Sequence, residues 1–171
     1  MKKFYVILGI IIIALVTILS LQSSEQPVVG STYQSNSTSN SDVASALDRA
    51  INDEYKALVT YQVTIATFGE KKPFVNIVQA EVRHIVSLKA LYKKYQLDIP
   101  DNTWIGQVSI PETFHEVCAL GVQAEIENVR LYEEELIPIV QVYPDIVAVF
   151  ENLKNASKQN HLPAFERCAL Q

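Results

Sequence analysis

One helical stripe in this chain has the spacing of a core face but not the composition of one. Phe74, Ile77, Glu81, His84, Leu88, Leu91 and Tyr95 step by three and four, which puts them on one side of an α-helix. A stripe so rich in Phe, Ile and Leu packs against other helices, yet it carries a carboxylate and an imidazole one turn apart. Burying both without partners is costly. A shared metal ion removes that cost, and the Glu81-Val82-Arg83-His84 spacing points both side chains at one ion. The chain is thereby constrained to a fold that brings more ligands to this stripe.

Three further stripes are available. A first helix is expected to start near Ser41 or Asp42, either of which can cap it, and to end at Gly69. Its stripe is Leu47, Ile51, Glu54, Leu58, Tyr61, Ile65 and Phe68, with Glu54 the one intruder. The loop Glu70–Pro73 is short, so the second helix folds back antiparallel, with Pro73 in its first turn, and runs to about Tyr95. A third helix is expected over 112–136, with Phe114, Cys118, Val122, Glu125, Val129, Tyr132 and Leu136 inward. A fourth is expected over 144–169, with Ile146, Val149, Phe150, Leu153, Ala156, Asn160 and Ala164 inward and His161 at the edge. Between the second and third helices lie sixteen residues, Gln96–Pro111. Extended at roughly 3.3 Å per residue they reach about 50 Å, whereas a 20-residue helix is about 30 Å long. They can therefore cross the full length of a bundle. The expected fold is all-α: a four-helix bundle over residues 42–171 with a long crossover between helices 2 and 3.

Ahead of this domain, Lys2 and Lys3 precede an uncharged run, Phe4–Leu21. Residues 1–21 read as a signal peptide or an N-terminal apolar membrane anchor, with the rest of the chain exported. Residues 22–41, rich in Ser and Asn, read as a flexible linker. The expected location is extracytoplasmic, membrane-anchored or secreted, with the membrane as a partner through the N-terminal segment. The net charge of −5, from 14 basic and 19 acidic residues, argues against nucleic acid. The sequence has no nucleophile elbow, phosphate loop, Cys-x-x-Cys pair or haem-attachment motif.

Five short runs carry a resemblance: Asp53-Glu54-Tyr55-Lys56-Ala57, Thr67-Phe68-Gly69, Ala80-Glu81-Val82-Arg83-His84, Glu125-Ile126-Glu127-Asn128, and Asn160-His161-Leu162-Pro163-Ala164-Phe165-Glu166-Arg167. Together, over about residues 42–170, they resemble the DUF2202 family, a ferritin-like group. The resemblance implies metal ligands at Glu54, Glu81, His84 and Glu125, and it suggests His161 as well. It implies one or two iron ions, with Mn or Zn as substitutes, and oxidation of Fe(II) or reduction of O₂ or peroxide. Asn160, Tyr61 and Tyr132 are candidates for hydrogen bonds to the ligands. With no rubredoxin-like cysteines, an electron donor would be a separate protein; association into a homo-oligomer is left open.

One position departs from the ferritin-like pattern, which repeats Glu-x-x-His on the fourth helix: three residues before His161 stands Lys158. Cys118 lies seven residues before Glu125 and Cys168 seven after His161. If helices 3 and 4 are antiparallel and Glu125 and His161 share a layer, the cysteines share one too, about 10 Å away, and can pair. They can also be ordinary buried thiols. The alternative to metal is a buried network with Arg83, Arg130 and Tyr61. The alternative function is a non-enzymatic binding or structural module with at most one structural metal.

Overall fold

The computed structural model describes residues 32–171, all of whose regular structure is helical. There are four helices: α1 (Thr32–Phe68), α2 (Phe74–Tyr95), α3 (114–139) and α4 (144–169). Two are not uniform. α3 widens into a π-helical stretch at Leu131–Leu136, and α4 does so at Ser157–His161.

α1 starts at Thr32, nine residues before the expected Ser41 and ten before Asp42. Residues 32–41 of the expected linker are thus helical. No glycine or proline lies between Thr32 and Phe68. Extending an already packed helix through Ser and Asn costs only tenths of a kcal/mol per residue, far less than nucleating one. The apolar segment 1–21 and the linker up to residue 31 lie outside the described residues. Among the described residues no helix is long and apolar enough to cross a membrane.

Gly69 closes α1 at φ 84°, a conformation that favours glycine, and its N–H bonds the Ile65 carbonyl. The tight turn makes α1 and α2 antiparallel. α2 ends at Gln96 in the left-handed region, and Leu97 N–H bonds the Tyr92 carbonyl. The chain then runs back along α1. The Tyr55 hydroxyl donates to the Pro100 carbonyl at 3.4 Å, and Trp104 Nε1 donates to Asn52 Oδ1 at 3.0 Å. α3 opens with a capping box between Thr113 and Glu116. Its first residue, Phe114, packs edge-on against Phe68 and Phe74. α3 therefore begins at the same end as α2, and residues 96–113 form the long crossover. α4 returns antiparallel to α2: Lys94 and Tyr95 in the last turn of α2 both bond Asp145 in the first turn of α4. At the other end Cys118 of α3 and Cys168 of α4 form a disulfide, with Cα atoms 5.5 Å apart.

The apolar core is in two parts. One contains Leu47, Ile51, Leu88, Leu136, Ile146 and Phe150. The other contains Phe74, Ile77, Val117, Phe165 and the disulfide. Between them, at mid-bundle, sits a layer of buried polar side chains.

Candidate metal centre

That layer receives one or more polar groups from every helix. Glu54 of α1, Glu81 of α2, Glu125 of α3 and His161 of α4 are 2%, 2%, 3% and 4% exposed. His84 is one turn beyond Glu81. Its Nδ1 lies 3.1 Å from Glu54 Oε2 and 3.1 Å from Glu81 Oε2. His161 Nδ1 lies 3.4 Å from Glu81 Oε1 and 3.4 Å from Glu125 Oε2. The two imidazoles stack, with centroids 5.6 Å apart. These side chains make two overlapping ligand groups, Glu54–Glu81–His84 and Glu81–Glu125–His161, with ligand atoms in each within 4.8 Å of one another. Glu81 belongs to both and offers one oxygen to each.

The remaining oxygens are tied back by tyrosines. The Tyr61 hydroxyl donates to Glu125 Oε1 at 2.6 Å, and the Tyr132 hydroxyl donates to Glu54 Oε1 at 2.8 Å. Tyr61 is seven residues after Glu54 on α1, and Tyr132 seven after Glu125 on α3. Each tyrosine thus holds the glutamate of the other helix and leaves that glutamate's Oε2 facing an imidazole. Burial and the neighbouring carboxylates push both phenols well above their usual range, so they stay protonated donors.

Among the described residues no Lys or Arg reaches the layer, so the charges must balance internally. Burial and the Glu54 carboxylate push Glu81 well above the usual carboxylate range. Burial acts upward on Glu54 as well, but hydrogen bonds from His84, Glu81 and Tyr132 outweigh it and hold Glu54 low. Burial opposes the charged form of His84, yet its bonds to Glu54 and Glu81 prevail and raise it to about 10. Protons shared among acceptors hold this cluster together, and a cation can take their place. Among the described residues two buried side-chain atoms have no hydrogen-bond partner, His161 Nδ1 and Asn128 Oδ1. An unpartnered imidazole nitrogen aimed between two carboxylates is unusual in a native core and is the arrangement a metal ligand needs. The residues present therefore fit a bound metal ion.

The alternative network with arginines fails. Arg83 is exposed, and Arg130 lies on the surface with Glu127 and Glu135. Asn160, expected to touch the ligands, is exposed. The π-helical stretch rotates α4 so that Ser157 and His161 turn inward in place of Ala156 and Asn160. His161 is thus in the core, not at the edge of the stripe. On α3 the core face is ordinary α-helix up to the π-helical stretch, and it runs Cys118, Gly121, Glu125, Asn128, Tyr132: Gly121 and Asn128 are buried, while Val122 and Val129 are only half-buried. Asn128, missed in the sequence, donates from Nδ2 to Asp53 at 2.8 Å and to Glu54 at 3.4 Å. Asp53 was missed too; burial and the adjacent Glu54 raise it to about 6. Lys158 points outward, 3.7 Å from Glu133.

Comparison with family models, curated proteins and solved structures finds no match to this chain.

Proposed function

We propose that this protein is a ferritin-like metalloprotein that holds two transition-metal ions in the bundle and acts on Fe(II), O₂ or peroxide. The observation that carries this reading is the shared Glu81 between two Glu/His groups, with His161 Nδ1 unpartnered beside it. Glu54, Glu81 and His84 would hold one ion, and Glu81, Glu125 and His161 the other. Mixed carboxylate and imidazole ligands suit Fe or Mn, and Zn fits the same donors. Bound iron would supply one-electron chemistry toward oxygen species. The chain's own part is to neutralise the ions with three carboxylates, to orient two of those carboxylates through Tyr61 and Tyr132, and to keep the layer between two apolar cores. The Cys118–Cys168 disulfide favours an oxidising, extracytoplasmic location. A segment before residue 32 acting as signal or membrane anchor is consistent with that location, and electrons would come from a separate donor.

A second reading, a non-enzymatic module with one structural metal, is favoured by a single feature: the second ligand group has no Glu-x-x-His of its own, because Lys158 faces outward. Elemental analysis of the full-length chain after anaerobic Fe(II) loading separates the two readings. Two irons per chain, both lost in Glu81→Ala, support the two-ion site. One metal per chain supports the structural module. No bound metal in the unmodified chain would sink both.

A further inference from the structure

The ligand residues of the bundle have an internal pseudo-two-fold relation that is broken at one ligand position. Glu54 on α1 matches Glu125 on α3, and Tyr61 matches Tyr132 in reciprocal bonds. His84 on α2 matches His161 on α4, ring stacked on ring. Glu81 precedes His84 by three residues, and its counterpart before His161 is Lys158, which leaves the core. The π-helical stretch puts Ser157 inside instead, where it is buried. Serine is shorter than glutamate and uncharged. A carboxylate the symmetry calls for is thus replaced by a small hydroxyl that can donate a hydrogen bond.

The space is not closed over. A cavity of about 460 Å³ runs between α1 and α3, and Ser157, Glu81 and Glu125 line its buried end. That volume is in the range of small-molecule sites. Ala57, Phe74, Val117 and Leu120 make its walls largely apolar, and Trp104 of the crossover sits at its outer side. If two divalent ions occupy the ligand groups, Glu54, Glu81 and Glu125 balance three of the four positive charges. Asp53 and Lys56 on the cavity wall offset each other, so one monoanion completes neutrality. Glu127 also lines the cavity, but its carboxylate is paired with Arg130 on the surface.

We infer that the buried end of this cavity binds a small aliphatic monocarboxylate, its head beside Ser157 in the position of the missing fourth carboxylate and its tail along the apolar walls. The inference rests on the two-ion reading above. The test uses the full-length chain loaded with Co(II), whose visible absorption reports changes in its ligands, titrated with acetate, propionate and butyrate. A saturable spectral shift is expected, with affinity rising roughly fourfold per added methylene as each enters the apolar channel. Chloride and phosphate at equal ionic strength leave the spectrum unchanged. The variant S157E supplies the carboxylate internally and loses the response while still binding two Co(II). The chain-length series on the unmodified protein needs no variant, so a poorly folded S157E does not block the test. Two bound Co(II) with no carboxylate response, or with a response shared by chloride, overturns the inference and leaves the two-ion reading standing. Failure to bind Co(II) overturns both.

Discussion

Gly121 lies on α3 between the disulfide and the ligand layer, and replacing it with alanine tests how tightly the two are coupled. A Cβ at this position would sit 2.5 Å from Phe165 Cδ1 and 2.7 Å from Cε1 and Cγ. Ordinary contact begins near 3.4 Å, so the neighbour must move by about 1 Å. Phe165 cannot swing aside: it is fully buried, against Tyr61 on one side and Phe74 on another. The strain therefore falls on the spacing of α3 and α4. Overpacking of this kind costs about 1–3 kcal/mol. Replacing a mid-helix glycine by alanine returns about 1 kcal/mol through helix propensity. The net expectation for Gly121→Ala is a loss of about 1 kcal/mol and a Tm lower by a few degrees. One turn away, His161 Nδ1 faces Glu125 Oε2 at 3.4 Å across the same pair of helices. A separation of about 1 Å there weakens one metal site and spares Glu54–Glu81–His84, which α1 and α2 hold. The assay is thermal unfolding of the full-length chain beside a metal titration. In a Phe165→Leu background, with the ring gone, the same Gly121→Ala change should be neutral or stabilising, a coupling that a double-mutant cycle measures. A Gly121→Ala protein that melts at or above the parent and binds both ions with unchanged affinity would refute this reasoning.

Three further outcomes follow from the same geometry. Tyr61→Phe and Tyr132→Phe each remove the donor to a buried glutamate and should each cost about 1.5–3 kcal/mol in urea unfolding, with no fall in metal count. Metal affinity should rise with pH through neutrality: His84, held at about 10, carries a proton in the metal-free chain and must shed it to bind, and the upward shift of Glu81 acts in the same direction. The expected release of at least one proton per chain, from His84, is read by calorimetry in buffers of different ionisation heat, and pH-independent affinity would contradict it. Replacing Cys118 and Cys168 together by serine opens a crosslink across a separation of 50 residues and should lower stability by about 4 kcal/mol on the loop-entropy estimate, measured by denaturant unfolding.

Much of the centre was legible because α1 and α2 keep the ordinary helical period. Glu54 and the Glu81–His84 pair fall on stripes that a 3.6-residue repeat carries straight through, and those side chains meet at 3.1 Å. The crossover was legible from length and its prolines alone. The second half of the bundle was harder: on α3 two three-four phases were open and the buried one passes through Gly121 and Asn128, and beyond that point the period itself changes. Buried positions run Asn128, Tyr132, Leu136 on α3 and Val140 just past its end, and Leu153, Ser157, His161, Phe165 on α4. Each is three successive steps of four. In a strict α-helix twelve residues make about 3.3 turns, so such a series would drift a third of a turn off the core face. A π-helical stretch absorbs the drift, and one sits inside each series, at Leu131–Leu136 and Ser157–His161. Read with a fixed period, α4 offers Ala156 and Asn160; read as a run of fours, it offers Ser157 and His161. The signal was present in the spacing of Tyr132, Leu136 and Val140 and of His161 and Phe165. Its placement also has a consequence for chemistry. π-Stretches inside helices cluster at functional sites, and this one both delivers His161 to Glu125 and removes Lys158 from the core. The same local widening that completes the second ligand group leaves it one carboxylate short, beside a cavity that reaches it.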